Sequence, residues 1–485
     1  MRRSTSLCVA LAVSAVATLA DDIKVGQTAG VLQILPAVRS ERTTDTRLPA
    51  EGYRIRIDAK GKATVEAADA AGEFYARQTL RQLSEGMRNV EIEDWPAFGW
   101  RGLLLDESRH FFGKDVVKRL LDRMAEFKLN VLHWHLMDST GNRFPLRSRS
   151  KMNVTGATRP APDYSRWMHD EEFGSYGPFG YTADEIAEIR AYAKARHVRI
   201  VPEVEIPGHS REVIAAYPEL FCGSRDDFAQ ACAFCNDKKS GRFDCTAVCL
   251  GNPETIRFFE DVLDDVCELF PESDVIHIGG DECPRTNWER CTKCRTKVRE
   301  LGLADAGGLQ NWCTRHFVDY LGKKGRRALG WDEILEGGLA EGAYVMSWRG
   351  AEGGKAAAKA GHCAVMCPHE FCYLDYPQGL GASDGHHYPN WPGTPQLTLQ
   401  KAYSFDPCAG IPEAERKYVL GGQANNWTEF TVTERDLEWK LWPRALATAE
   451  VLWTGPGRRT FTDFSSRVRS VVERLRGEGV NVAPF

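Results

Sequence analysis

The chain has 485 residues, 43% of them hydrophobic, and a net charge of -5 at neutral pH. That length and apolar content suit a folded protein with one large core of α/β barrel size and something smaller beside it. The weak negative charge offers no basic field to a phosphate backbone, which argues against nucleic acid as a partner and for a neutral or weakly acidic ligand.

At the N-terminus, Arg2 and Arg3 precede an apolar run from Leu7 to Leu19 and the small-residue end "TLA" before Asp21. This order predicts a secretory signal over 1–20, removed near Ala20, and the run is too short to span a bilayer. A buried N-terminal helix is the competing reading. No later segment is apolar for long enough to be a transmembrane span, so the mature chain is expected to be secreted or lumenal, with lysosome and vacuole among the destinations. Next, "YRIRI" and "ATVEA" alternate like strands around the turn formers at 59–62, and Ala70 to Leu83 reads as an amphipathic helix. These make a small α/β domain over 21–96, and "DWPAFGWRG" (94–102) interrupts it with Pro and Gly, placing a second domain over 97–485.

From Arg101 onward, short apolar runs alternate with helical stretches. The candidate strands are "GLLLD" (102–106), "NVLHWHLMD" (130–138), "VRIVPEVEIP" (198–207), "VIHIGG" (275–280), "ALGWDEI" (328–334), "YVMSW" (344–348), "CAVMC" (363–367) and "YVLGGQANNW" (418–427). Helical patterns fall between them at 115–127, 183–196, 253–269 and 309–324. Repeated βα units of this kind predict a (β/α)8 TIM barrel with enlarged loops. A doubly wound open sheet is the alternative, but no G-x-G-x-x-G phosphate turn stands where it would be needed.

Of the 15 cysteines, Cys8 lies in the expected signal and the rest suit an oxidising compartment. Cys222, Cys232, Cys235, Cys245 and Cys249 crowd one polar stretch, and Cys283, Cys291 and Cys294 follow soon after. Disulfide-stapled loops are the favoured reading. Zinc is the rival, because Cys232-x-x-Cys235 and Cys291-x-x-Cys294 have ligand-like spacing. "NVT" at Asn153 is an N-glycan acceptor pattern, and "NWT" at Asn426 matches it less usefully. His133 and His135 share one strand face, as metal ligands do, but inside a barrel strand they are read as packing.

Most of the strands end in polar or aromatic residues: Asp106 and Arg109, Asp138, Glu205 and His209, Asp281 and Glu282, Trp331 and Asp332, Trp348, Tyr373 and Asp375, Trp427 and Glu429. A barrel brings those ends to one rim, so residues more than 300 positions apart can form one pocket. Two carboxylates without a metal cluster or a nucleophilic Ser or Cys motif suggest acid–base work on a glycosidic or similar acetal bond, and Trp walls suit a sugar ring. The adjacent Asp281 and Glu282 of "HIGGDE" cannot flank a scissile bond from opposite sides, as an ordinary glycosidase pair does. They divide the work if the substrate brings its own nucleophile, a 2-acetamido carbonyl oxygen, leaving one carboxylate to hold that group and the other to move protons. Mutual repulsion would also raise one pKa and keep an acid protonated near working pH.

"HIGGDE" (277–282), with "RGLLLDESRHFF" (101–112), "NVLHWHLMD" (130–138), "EIPGHS" (205–210), "GWDE" (330–333) and "GGQANNWTEF" (421–430), resembles the β-N-acetylhexosaminidases of glycoside hydrolase family 20. The blocks run in the family's order from about residue 50 to nearly the end. The resemblance implies a (β/α)8 domain behind a small α/β domain, and retention of configuration through an oxazolinium ion. It implies Glu282 as general acid and then base, Asp281 holding the acetamido N–H, and Tyr373 donating to the acetamido oxygen. Arg109 would bind the ring hydroxyls at positions 3 and 4, with Asp375 and Glu429 on the outer hydroxyls. Trp331, Trp348 and Trp427 would wall the pocket, and Asp138 and His209 would form the pair behind the acid. The implied substrates are N-acetylhexosamine-terminated glycans or chitin oligomers, with no cofactor and no metal. A non-catalytic amino-sugar-binding glycoprotein and a metal-dependent barrel hydrolase are the alternatives, while monomer and homodimer both remain open. Two departures stand out: the segment ahead of the barrel is shorter than the family's usual domain, and a cysteine-rich insertion runs from Cys222 to Cys249.

Overall fold

The computed structural model describes residues 48–83, 87–160, 175–233, 244–381 and 395–485. The expected signal at 1–20 lies outside the described residues. Near the N-terminus, β1 (Tyr53–Ile57), β2 (Ala63–Ala67) and β3 (Val90–Asp94) form an antiparallel sheet in the order β2-β1-β3. The register sets Ile55 opposite both Val65 and Ile92, so one sheet face is apolar and packs on the helix Ala70–Gln82. Asp69 caps that helix by accepting from the Gly72 N–H.

Eight parallel strands close a barrel: β4 (Trp100–Asp106), β5 (Val131–His135), β6 (Arg199–Glu203), β7 (Val275–His277), β8 (Arg327–Trp331), β9 (Tyr344–Ser347), β10 (Ala364–Met366) and β11 (Val419–Asn426). Each candidate run of the sequence contributes one of them. β4 and β5 are buried along their whole length, which explains their unbroken apolar runs: a parallel barrel strand has a covered outer face as well as a filled interior. The connecting helices start on strong local signals. Thr182 and Glu185 form a capping box ahead of Ala183–Lys194, and Asn252 with Pro253 opens Pro253–Leu269. Among the described residues no helix is long and apolar enough to cross a membrane.

Trp453 ties the two parts together, since it belongs to the small sheet's core and its Nε1–H donates to Asp94 of β3 at 3.0 Å. Beside it the fully buried Lys128 donates to Tyr53 OH (2.8 Å) and Thr79 Oγ1 (2.7 Å), with Trp453 beneath its ammonium at 4.5 Å. Burial drives the Lys128 pKa down to about 7, against the pull of Asp94.

One of the two glycan-acceptor patterns changes. Asn426 is completely buried at the end of β11, so it cannot accept a glycan. Asn153 is exposed, with its amide donating to the Leu146 carbonyl at 2.8 Å.

Candidate active site

All eight strands run the same way, so the residues that follow their C-terminal ends share one rim. The anchor is Arg109, just beyond β4. It lies buried with Nη1 3.1 Å from Asp106 and Nη2 2.7 Å from Asp138 and 3.6 Å from Glu429, and its guanidinium sits 5.0 Å over the Trp427 ring. Asp138 passes the contact on: its other oxygen lies 3.1 Å from His209 Nδ1. On its far side, His209 Nε2 faces Asp281 at 3.6 Å and Glu282 at 3.7 Å. A continuous polar chain thus runs from β4 through the loops after β5 and β6 to the paired carboxylates after β7.

Backbone geometry makes the last link. Gly279 has φ +61°, and a Cβ there would stand 1.9 Å from Glu205 Oε2, so only glycine lets the chain turn over that buried carboxyl. His209 and Glu282 both adopt φ +45°, a region costly to residues with a side chain and one that collects at functional sites. Gln310 braces the turn by donating to the Gly280 carbonyl at 2.6 Å.

Charge distribution decides which of the two carboxyls is raised. The carboxyl held above its ordinary range is Asp281, pushed up by burial, with Glu203, Glu282 and Asp138 adding to the effect. Glu282 is held below, first by its hydrogen bond with His209, and its side chain is 64% exposed. The physical reason is placement: the repulsion acts on both, but Asp281 has lost far more of its water than Glu282. His209 is lowered by burial yet ends well above the usual imidazole value, because Asp138 and Asp281 outweigh that cost.

The aromatic residues come together as a wall. Trp331 and Trp427 lie with ring centroids 5.8 Å apart, Tyr373 sits 6.2 Å from Trp427, and Trp348 stacks on Tyr373 at 6.1 Å and 16°. The Trp427 side chain hydrogen-bonds the Tyr373 hydroxyl, and burial lifts the Tyr373 pKa well above ten, so that hydroxyl stays a donor. Asp375 is buried with one oxygen lacking a protein partner, and burial plus the nearby Glu429 raises it to about 7. Glu333 receives the Trp348 indole N–H at 3.0 Å and is lifted by burial to about 8.

Sequence reasoning missed the centre beneath this rim. Glu203, fully buried at the end of β6, meets His133 (3.1 Å), His135, His277 (2.7 Å) and the Trp331 indole N–H (2.8 Å). His133 and His135 are thus partners of a buried carboxylate as well as packing groups. His135 also touches Asp138 at 3.0 Å, joining the hub to the polar chain from Arg109 to Glu282.

Four of the cysteines also differ from expectation. Cys222, Cys249, Cys291 and Cys294 are thiols in mutual contact and not disulfides, while Cys235 lies outside the described residues.

Comparison with known proteins agrees with this geometry. The glycosyl hydrolase family 20 catalytic domain model matches residues 98–456, and the family's domain 2 model matches 10–95. A β-hexosaminidase of Porphyromonas gingivalis is 36% identical over 458 residues, 90% of this chain; the chain spans 55% of that relative's length. A β-hexosaminidase of Akkermansia muciniphila is 32% identical, with 91% of this chain and 86% of the relative covered. The crystal structure of an exo-β-N-acetylglucosaminidase from Vibrio harveyi in complex with N-acetylglucosamine superimposes with a TM-score of 0.78 at 30% identity, covering 90% of this chain and 68% of that one. Since the catalytic model follows the barrel from its first strand past its last, the chain belongs to glycosyl hydrolase family 20.

Proposed function

We propose that the protein is a retaining exo-β-N-acetylhexosaminidase that removes terminal non-reducing N-acetylglucosamine, and N-acetylgalactosamine, from glycans or chitin oligomers. The observation that carries this reading is the Arg109–Asp138–His209 chain ending on Asp281 and Glu282, opposite a wall of Trp331, Trp427 and Tyr373.

Glu282, the exposed member, protonates the glycosidic oxygen as the bond to C1 breaks. The acetamido carbonyl oxygen of the same sugar attacks C1 and forms the oxazolinium ring, so no enzyme nucleophile is required. Asp281, half-buried beside that group, accepts the acetamido N–H and faces the positive charge as it develops; Tyr373 steers the carbonyl oxygen. Glu282, now ionised, takes a proton from water, which opens the ring at C1 and retains configuration. Arg109, Asp375 and Glu429 hold the outer hydroxyls, and the unpartnered Asp375 oxygen has a hydroxyl to receive. A groove of about 410 Å³ leads away from Glu282 past Arg285, Gln310, Glu333 and Arg349, and suits the leaving sugar.

The test is release of 4-nitrophenol from the β-N-acetylglucosaminide against the β-glucoside. Turnover of the acetamido sugar alone is expected, and equal turnover of both would sink the substrate-assisted reading. No turnover of either would favour a sugar-binding protein.

A pH dependence follows. The reacting form needs Glu282 protonated and Asp281 ionised, the reverse of the order in the free site, where Glu282 is lowered by His209 and Asp281 is raised by burial. Only the fraction of enzyme with that reversed order reacts, so kcat/KM should be bell-shaped in pH with a lowered maximum, its acid limb breaking where Glu282 titrates and its alkaline limb where Asp281 does. Bound sugar covers the exposed Glu282 and raises its pKa, so the acid limb of kcat should lie at higher pH than that of kcat/KM. Coincident limbs would contradict this.

A further inference from the structure

The four contacting thiols lie on the structure's cysteine-rich side, outside the sugar site. Their sulfur atoms all lie within 4.8 Å of one another, with Cys222–Cys294 at 3.7 Å, Cys249–Cys291 at 3.7 Å and Cys249–Cys294 at 3.6 Å. A disulfide picks one partner and brings it to about 2.0 Å. Here Cys249 is equally near two others, and Cys294 is likewise shared. A tetrahedron of thiolates around zinc, with Zn–S about 2.3 Å, has S···S edges of about 3.8 Å, which matches these separations. Backbone donors complete the pattern: the Gly251 N–H points to Cys294 Sγ at 3.3 Å, and the Cys294 N–H points to Cys291 Sγ.

We propose that Cys222, Cys249, Cys291 and Cys294 form a structural Zn2+ site that locks the loop carrying His209 to the loop carrying Glu282. Four sulfur ligands leave no open position for water, so the ion is structural and takes no part in the hydrolysis. Binding replaces the thiol protons with one Zn2+, and the released protons go to solvent.

Chain topology gives the site its role. Cys222 and Cys249 belong to the long excursion after β6, which also carries His209, whereas Cys291 and Cys294 lie beyond Glu282 at the start of the helix Thr292–Glu300. The same two segments are laced by Asn287 with Asp244 (2.7 Å in each direction) and by the Trp288 indole N–H to the Val248 carbonyl (2.8 Å). At Gly251 the two backbones press together: a Cβ there would stand 2.3 Å from the Cys294 nitrogen and 2.3 Å from the Lys293 carbonyl carbon. Those are backbone atoms that cannot step aside. Any side chain at 251 would pry the Cys249 segment from the Cys291 and Cys294 segment.

The experiment is metal analysis of the full chain, purified without chelator from zinc-supplemented culture, with thiols counted by alkylation after denaturation. One zinc per chain is expected, and exchange into Co2+ should give the intense visible absorption of tetrahedral thiolate coordination. Cys294→Ser and Gly251→Ala should each lose most of the metal and melt several degrees lower. If those variants do not fold, zinc content and the Co2+ spectrum of the wild-type chain decide alone. A wild-type chain without zinc, whether its four cysteines are recovered as thiols or as disulfides, overturns the proposal, and so does iron in zinc's place.

Discussion

Glu282→Gln is expected to lower kcat/KM on oligosaccharides by about 10²–10⁴, the usual worth of a positioned acid–base group. The glutamine cannot donate to the glycosidic oxygen or take a proton from water, so both halves of the reaction suffer. Aryl glycosides with very good leaving groups should escape the first loss, because their departure needs no proton. A burst of the phenol followed by slow steady turnover is the expected trace. Asp281→Asn should behave otherwise. It keeps the shape but removes the negative charge that faces the oxazolinium, so the first step should slow by about 10²–10³ whatever the leaving group, by analogy with loss of one preorganised electrostatic partner. Pre-steady-state kinetics on two leaving groups separates them. If both variants respond alike to leaving-group pKa, the division of labour assigned to the two carboxylates is wrong.

Arg109→Ala is expected to damage stability and catalysis together. It strips the guanidinium partner from Asp106 and Asp138, both buried, and breaking such a pair costs about 3–5 kcal/mol. Asp138 is held well below the ordinary aspartate value despite burial, with Arg109 the chief favourable influence. Without that charge its hold on His209 weakens, so kcat should fall alongside the rise in KM expected from losing a hydroxyl contact. Arg109→Lys keeps the charge but cannot reach two carboxylates with one planar fork, so it should recover more stability than activity. Thermal melts and separate kcat and KM values check this; a variant that melts normally with only KM raised would show that Arg109 merely binds sugar.

The barrel was legible because its strands are short β-branched and aromatic runs at regular spacing, and a helix pattern stands between most of them. The rim was legible for the same reason: once the runs are strands, Asp281, His209, Trp331 and Arg109 must converge. What the pattern could not disclose depends on partners from several segments. Glu203 looks like a wet residue in "PEVEIP", and only closure of the barrel surrounds it with His133, His135, His277 and Trp331. The two C-x-x-C spacings suggested one ligand set, whereas the chain gathers Cys222 and Cys249 around the second of them. The order of the Asp281 and Glu282 pKa values turned on which of two neighbours keeps its water, and adjacency in sequence says nothing about that.

The Glu203 hub also bears on how this pocket can change over generations. Trp331 forms part of the aromatic wall while its indole N–H holds a carboxylate shared by three imidazoles. A mutation that trims Trp331 to admit a bulkier sugar therefore disarranges a charge deep in the barrel at the same moment. Adaptation toward new substrates is easier through Trp348 or Glu429, whose side chains are partly exposed, than through Trp331. In laboratory evolution toward altered sugar preference, accepted substitutions should gather on that outer arc and leave Trp331 fixed.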